Sequence, residues 1–326
     1  MLSLVIPVYK NEESIERLLT ELALLADRLP EPLEVVFVVD GSPDRSAEML
    51  RTRLPSSGLR AQLIVLSRNF GSFSAIRAGL ERGEGDYFAV LAADLQEPPE
   101  LVADFLTALR SDEADIVFGS RSRRADPWFS AFVSNAFWAL YRSFVLPDIP
   151  RGGVDVFACT RAVRDRIVAF SEVSTNLIAL LFWIGYRRKF VVYERAARLE
   201  GKSAWTFRKK LQYSIDSIFN FSDLPIRLLT YVGLAGMIAA IGLAIVILVA
   251  KANGRIEVPG YTPIVLTIAF FGALTSLGMG ILGQYLWLAL QNVRRRPNFI
   301  VDSAERIPAL GAGERASDPV RDRDAG

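Results

Sequence analysis

The first 120 residues alternate between short, nearly continuous apolar runs and longer segments of mixed polarity. Continuous apolar runs rich in β-branched residues are typical of strands that are covered on both faces of a sheet. The predicted strands are residues 2–8, 33–40, 62–67, 87–94 and 114–120, and the predicted helices include 12–29 and 98–111. Alternating strands and helices predict an α/β domain with a mostly parallel sheet.

The C-terminal part of the chain has a different pattern, with two long uncharged runs at residues 228–250 and 263–290. About 20 apolar residues are enough to cross a bilayer, so both runs are predicted transmembrane helices. The segment between them is short, which makes a hairpin with both flanks on one side. Arg227 before the first run and Arg294–Arg296 after the second favour cytoplasmic flanks. The N-terminal segment lacks the features of a signal peptide, which agrees with that orientation.

Composition limits the chemistry that this chain can perform. The 326 residues include no histidine and one cysteine, Cys159. Histidine general bases, Ser-His-Asp triads and cysteine zinc clusters are therefore excluded. Any bound metal must have oxygen ligands, which suits Mg²⁺ or Mn²⁺. The net charge of +2 gives no support for nucleic-acid binding.

A polar segment follows each of the five predicted strands. In open α/β sheets, ligands bind beyond the carboxyl ends of the strands, so these segments are expected to surround one cleft. Each segment alone is explained equally well as a turn, because Asp, Gly, Ser and Asn favour turns. Together they predict a site for a polar, polyanionic ligand. The segments are residues 9–12, 40–44, 67–71, 94–100 and 120–124.

The motifs along the chain resemble those of family-2 glycosyltransferases with the GT-A fold. They are, in order, VIPVYKNEESI, VVDGSPDRS, LSRNFGSFSAIRAGL, AADLQEPPEL, GGVDVFACTRAV and GKSAWTFRKK. The most similar subgroup has a membrane hairpin and glycosylates polyprenyl phosphates; it includes dolichyl-phosphate mannosyltransferase and the bactoprenol glucosyltransferases. The resemblance implies a nucleotide-sugar donor, Mg²⁺ or Mn²⁺ on its diphosphate, a polyprenyl-phosphate acceptor and inversion at the anomeric carbon.

The resemblance also implies roles for individual residues. The implied donor contacts are Pro7, Tyr9, Glu12, Asp40, Ser67, Asn69 and Asp94. Asp94 and Gln96 would face the metal. Asp94 and Asp155 are the implied catalytic residues. Because a lipid phosphate is already ionised, Asp155 would orient the attack and would not need to remove a proton. An aspartate after two glycines is also an ordinary turn residue. The candidates for binding the acceptor phosphate are Arg121, Arg124, Arg198 and Lys202.

Two positions depart from the family pattern. The family commonly has two acids where this chain has Val39 and Asp40, and Asp-Ala-Asp where it has Ala92, Ala93 and Asp94. Mg²⁺ usually keeps several waters and substrate phosphates as ligands, so a site with one carboxylate and one amide is feasible. We expect weaker metal binding in the absence of donor. A non-catalytic scaffold that retains the nucleotide-sugar pocket is an alternative interpretation.

Three segments have a composition that suits the membrane surface. Residues 187–210 are strongly basic, as expected next to anionic headgroups. Residues 205–221 have the periodicity of an interfacial amphipathic helix, or of an ordinary core-facing one. Residues 128–146 are rich in aromatic side chains and helix-compatible. This segment has three interpretations: it lies on the membrane, closes the acceptor cleft or forms a subunit contact.

The expected organisation combines these features. The predicted parts are a GT-A glycosyltransferase domain (1–200), juxtamembrane amphipathic helices (201–227), transmembrane helix 1 (228–250), a short non-cytoplasmic loop (251–262), transmembrane helix 2 (263–291) and a cytoplasmic basic flank with a disordered tail (292–326). The predicted function is transfer of a hexosyl group from a UDP- or GDP-sugar to undecaprenyl phosphate at the cytoplasmic face of the inner membrane. A homo-oligomer, such as the tetramer common in the family, is expected. The alternative within catalysis is a related membrane transferase with another lipid or glycan acceptor.

Overall fold

The computed structural model describes residues 1–121, 150, 154–170, 177–194, 224–253, 260–294 and 296–308. The strands are β1 (Leu2–Val8), β2 (Leu33–Val39), β3 (Arg60–Leu66), β4 (Tyr87–Val90), β5 (Ile116–Arg121), β6 (Val154–Thr160), β7 (Arg188–Tyr193) and β8 (Val301–Ile307). The α-helices are α1 (Ile15–Arg28), α2 (Ser46–Arg53), α3 (Ser72–Arg82), α4 (Leu101–Arg110), α5 (Arg161–Ala169), α6 (Leu177–Trp183), α7 (Leu224–Ala252) and α8 (Tyr261–Arg294).

The strands form one sheet in the order β7-β5-β6-β4-β1-β2-β3-β8. Strand β1 pairs in parallel with β2 and β4, β2 with β3, and β5 with β7. Strands β6 and β8 run antiparallel to their neighbours. The predicted α/β fold with a mostly parallel sheet is therefore confirmed. Because β1 to β4 point the same way, their carboxyl ends share one edge, and the predicted polar segments follow them there.

Both faces of the sheet are covered, which explains why the strands are continuously apolar. On one face, Leu4 and Phe37 pack with residues of α1, α2 and α4. On the other face, Val5 and Val38 pack with residues of α3, α5 and α6. Successive strand residues point to opposite faces, so each strand supplies both layers. The resulting rigid platform holds the loops at its carboxyl edge.

The predicted and observed strands agree best in the centre of the sheet. Strand β1 matches its prediction, and β2 ends one residue earlier than predicted. The predicted strand 87–94 is too long, because β4 ends at Val90. Leu91, Ala93 and Leu95 are buried without belonging to a strand, so the apolar pattern continues into the loop. Strands β6, β7 and β8 are not among the strands predicted from the sequence.

Strand β8 corrects the description of residues 292–326 as a basic flank and a tail. It pairs antiparallel with β3 and covers what is otherwise an edge strand. Its side chains alternate between partly buried and exposed, and only Val301 and Ile307 are large and apolar, so its pattern resembles a polar segment. Arg51 pairs with Glu305 at 2.8 Å on the surface. The tail predicted after Pro308 lies outside the described residues.

Helices α7 and α8 cover the two predicted membrane spans and contact each other. Among the described residues, one segment, Phe270–Gln291, is long and apolar enough to cross a membrane, and only 6% of it is buried. The first span is helical, but the two-helix membrane hairpin is not confirmed and stays a prediction. The predicted amphipathic helix at 205–221 and the aromatic segment 128–146 lie outside the described residues.

Candidate active site

The loops after β1 and β2 are joined by a dense set of hydrogen bonds. The backbone N–H of Lys10 donates to Ser42 Oγ at 2.8 Å, and that of Glu12 donates to Asp44 Oδ2 at 3.1 Å. The Ser42 hydroxyl donates to Asp44 Oδ1 at 2.6 Å. In the opposite direction, the backbone N–H of Arg45 donates to Glu12 Oε2 at 2.9 Å. The two loops therefore form a single polar unit beside the edge of the sheet.

Asp44 is the centre of this unit, and its role is not among those that the family resemblance implies. Burial acts to raise its pKa, but hydrogen bonds from Ser42, Ser46 and the backbone N–H of Glu12 outweigh burial, so the pKa of Asp44 lies below its usual range. The sequence signal for this role was an acid two residues after a serine in the loop that follows a strand. Ser and Asp side chains in such loops commonly form hydrogen bonds with nearby backbone groups. Asp44 orders the loop that carries Glu12.

Asp40 joins the loop after β2 to the residues 67–71, which we call the 67–71 loop. Its Oδ1 accepts from the backbone N–H of Phe70 at 2.7 Å, and its Oδ2 accepts from that of Gly71 at 2.8 Å. Burial raises the pKa of Asp40, with the two backbone donors and Arg68 acting in the opposite direction. Gly71 is the N-cap of α3, so the carboxylate also lies at the favourable end of that helix dipole.

The other implied donor contacts lie along the same edge. Pro7 and Tyr9, at the end of β1 and directly after it, are half-buried, as is Glu12. Ser67 and Asn69 are exposed at the start of the 67–71 loop. The structure therefore brings Pro7, Tyr9, Glu12, Ser67 and Asn69 to one rim, but it buries Asp40 beneath that rim.

Asp94 and Gln96 follow β4 on the neighbouring part of the edge. Both side chains are half-buried, and the backbone N–H of Gln96 donates to Asp94 Oδ1 at 3.3 Å. The Ser14 hydroxyl donates to the carbonyl oxygen of Ala93 at 3.0 Å, which ties this loop to the start of α1. Leu95 between them has a positive φ of 52°, an uncommon backbone conformation for a branched residue. Asp94 and Gln96 therefore lie on either side of a residue with a constrained backbone.

The residues implied for the acceptor are less completely described. Asp155 lies in β6, whose first residue, Val154, pairs with Ser120 of β5. Because β6 runs antiparallel to β4, the start of β6 reaches the same edge as the end of β4. Arg121 ends β5 at this edge. Arg124, Arg198 and Lys202 lie outside the described residues.

The sequence of the sheet domain matches the family model for glycosyl transferase family 2 over residues 3–169. The chain belongs to that family. Membership identifies it as a family-2 glycosyltransferase and confirms both the resemblance and the expected enzyme class. The matched range contains β1 to β6 and every loop of the candidate site described above.

Full-length relatives extend the match through the C-terminal helices. A prophage-derived bactoprenol glucosyl transferase of Shigella flexneri is 29% identical and covers 94% of this chain and 98% of its own. An undecaprenyl-phosphate 4-deoxy-4-formamido-L-arabinose transferase of Proteus mirabilis is 31% identical, covering 92% of each chain. The solved structure of Mycobacterium tuberculosis glucosyl-3-phosphoglycerate synthase with Mn²⁺ and UDP-glucose aligns with a TM-score of 0.47 and 18% identity, over 67% of this chain and 77% of that one.

The possible metal ligands at this family-2 site fit a hard cation such as Mg²⁺ only together with ligands from the substrate. Among the described residues there is no group of three or more acidic, cysteine or histidine side chains that could hold a metal. Asp94 supplies one carboxylate and Gln96 one amide oxygen. Mg²⁺ is commonly bound by one or two carboxylates together with substrate phosphates and waters. These residues therefore fit an ion whose remaining ligands come from a diphosphate and water.

Proposed function

We propose that this glycosyltransferase moves a hexosyl group from a nucleotide sugar to a polyprenyl phosphate at the cytoplasmic face of the inner membrane. One observation carries the proposal: relatives named for bactoprenol and undecaprenyl-phosphate transfer match 92–94% of the chain. The match includes the C-terminal helices as well as the sheet domain.

The exposed surface of helix α8 supports a lipid acceptor. Leu282 is 57% exposed and Leu286 is 72% exposed, as are many other large apolar residues of α8. An exposed apolar surface of this extent marks a contact with lipid or with another chain. We propose that α7 and α8 form a membrane hairpin with cytoplasmic flanks, in line with the arginines around them. The hairpin would keep the enzyme beside an acceptor that cannot leave the bilayer.

Polar groups on the carboxyl edge of the sheet support a nucleotide-sugar donor. The half-buried Tyr9 and the exposed Ser67 and Asn69 offer an aromatic ring, a hydroxyl and an amide to a nucleotide. Asp94 and Gln96 would hold Mg²⁺ or Mn²⁺ on the donor diphosphate, and the ion would offset charge on the departing nucleoside diphosphate. Asp94 would also orient the diphosphate relative to the loop of Tyr9.

On the acceptor side the nucleophile needs orientation more than deprotonation, because a phosphate monoester is already ionised near neutral pH. Asp155 would orient the attack from the face opposite the leaving group, which inverts the anomeric carbon. Arg121, Arg124, Arg198 and Lys202 are the candidates for binding the lipid phosphate, since arginine offers paired donors and lysine a point charge. A homo-oligomer, as in the tetramers of the family, is part of the proposal.

The test is transfer from labelled UDP-, GDP- and dTDP-sugars to undecaprenyl phosphate, with and without Mn²⁺. The expected result is a lipid-linked sugar from one donor class, formed only with the metal. Donor binding without any lipid-linked product would overturn the proposal and favour a non-catalytic nucleotide-sugar scaffold. Product formed on a different lipid or glycan, but not on a polyprenyl phosphate, would favour the related transferase instead.

A further inference from the structure

The chain returns from helix α8 to the edge of the sheet beside the proposed donor pocket. We call residues 296–300 the return segment; it lies between the end of α8 at Arg294 and the start of β8 at Val301. Its last residue reaches the 67–71 loop, because the backbone N–H of Ser67 donates to the carbonyl oxygen of Ile300 at 3.0 Å. The return segment therefore contacts the loop that carries Ser67 and Asn69, two of the implied donor contacts.

An irregularity in the pairing of β3 with β8 lies directly before this contact. Val65 pairs with Ser303, but Leu66 pairs with Val301, so β8 has one extra residue at this point. An extra residue of this kind bends a strand and is common next to active sites. The hydrogen bond from Ser67 lies beyond Leu66, the last residue of β3, so it fixes the first residue of the 67–71 loop.

Phe299 holds the return segment against the sheet. Its side chain is half-buried and packs against the apolar cluster that includes Leu66. The side chain of Ile300 is 53% exposed, so Ile300 takes part in the contact through its carbonyl group. Pro297, two residues before Phe299, has a fixed φ and narrows the conformations open to the segment. Phe299 is therefore the side chain that keeps the carbonyl of Ile300 within reach of the loop.

The later part of the 67–71 loop is held from the other side, by the residues that follow β2. The backbone N–H groups of residues 70–71 donate to the carboxylate of Asp40. A Cβ on Gly41 would clash with the backbone of Arg68, so the two loops are in close contact there. These contacts reach residues after Ser67. The return segment supplies the constraint at the start of the loop.

We propose that Phe299 is a positioning residue for the donor: by holding the return segment it fixes Ser67 and the start of the 67–71 loop in the conformation that binds the nucleotide. The inference rests on the proposed function in taking this loop as part of the donor pocket. Phe299 acts through Ser67 and does not itself contact the donor. It lies far beyond residue 169, where the match to the family model ends, and follows the proposed membrane anchor.

The test compares Phe299→Ala with the matched control Ile307→Ala. Ile307 is a half-buried apolar residue at the other end of β8, where it pairs with Ala61 of β3. Both replacements should lower the melting temperature, because each removes apolar contacts with the core. Only Phe299→Ala should weaken the binding of UDP, GDP or dTDP in the presence of Mn²⁺. The expected factor is roughly two- to tenfold, the range for one backbone hydrogen bond.

Two further readouts separate positioning from general loss of stability. In Phe299→Ala the KM for the nucleotide sugar should rise by the same factor, while kcat at saturating donor changes by less than about twofold. Hydrogen–deuterium exchange at the amide of Ser67 should be faster in Phe299→Ala and unchanged in Ile307→Ala. The conservative variant Phe299→Leu should recover most of the lost nucleotide affinity, because leucine keeps an apolar side chain at this position.

The outcomes distinguish this inference from the proposed function. Wild-type nucleotide affinity in Phe299→Ala would overturn the inference and leave the proposed function standing. An equal loss of affinity in Phe299→Ala and Ile307→Ala would also overturn it, because the effect would then follow from a weaker β8. If the wild type bound none of the three nucleotides, the proposed function and the inference would fail together, since no donor pocket would exist.

Discussion

Glu34 should be the acidic residue on which the stability of the sheet depends most. It lies at the start of β2, at the edge opposite the candidate site, and is 1% exposed. Its Oε2 accepts from Ser3 Oγ at 2.6 Å and from the backbone N–H of Glu84 at 2.9 Å, and its Oε1 accepts from Gln62 Nε2 at 2.8 Å. The carboxylate thus connects three strands and the turn before β4.

The replacement Glu34→Gln keeps the shape but puts an NH₂ group opposite one or two of these donors. Hydrogen bonds to charged groups contribute about 1.5–3 kcal/mol each, so the expected loss is about 2–4 kcal/mol. For a domain of this size, that corresponds to a melting temperature lower by roughly 4–16 °C. The control is Glu48→Gln, which removes the same charge from an exposed position on α2. Thermal unfolding of the purified proteins at pH 7 measures the difference.

The pH dependence of unfolding gives a second measurement of the same effect. Burial alone would raise the pKa of Glu34, but the hydrogen bonds from Glu84, Ser3 and Gln62 lower it below the ordinary value. An acid with a depressed pKa stabilises the fold above its unfolded pKa, and this contribution is lost as pH falls through its folded pKa. The wild type should therefore lose more stability below about pH 4.5 than Glu34→Gln does. Equal melting temperatures for the two glutamine variants at pH 7 would refute the reasoning.

Three other variants test the site, the anchor and the sheet edge. Asp94→Asn should lower turnover by about two orders of magnitude, because the loss of metal-assisted charge stabilisation is worth several kcal/mol; full activity would contradict the metal assignment. Leu282→Arg should weaken membrane insertion by about 3 kcal/mol, measured as the fraction that resists carbonate extraction, whereas Leu24→Lys on the exposed face of α1 should not. A chain ending at Ile300 lacks β8 and should aggregate and melt earlier, because the β3 edge is then open, whereas one ending at Pro308 should behave as the full chain does.

The sequence predicts the fold where burial alone determines the pattern. Strands β1 and β2 are covered on both faces, so their apolar runs start and end close to the strands themselves. Strand β8 has one polar face and lies at the edge, so nothing in Val301–Ile307 distinguishes it from a solvated segment. It becomes a strand because β3 has unpaired backbone groups at that edge, a fact of tertiary structure.

The same limit applies to the candidate site. The polar strand ends predict the position of the cleft, because the ends of parallel strands must meet at one edge. The sequence does not show that the Asp40 carboxylate accepts hydrogen bonds from the backbone that follows β3. Its partners, the N–H groups of Phe70 and Gly71, are 30 and 31 positions along the chain and belong to the backbone. Almost every residue type has a backbone N–H, so residue types do not identify backbone donors. The hydrogen-bond partners of Asp40 and Asp44 could therefore be found only in the structure.

The two missing acids have different consequences, because their positions face different surroundings. Val39 is 1% exposed within the core that α1 and α4 cover, so an acid there would be buried away from the cleft. Ala92 is half-buried in the loop that leads to Asp94. We therefore expect Ala92→Asp to raise the affinity for Mn²⁺ in the absence of nucleotide, and Val39→Asp to lower the melting temperature with no gain in metal affinity. Titration of Mn²⁺ with and without UDP measures the first effect. Tight Mn²⁺ binding by the wild type without UDP would show that the single carboxylate of Asp94 needs neither the missing acid nor the donor diphosphate.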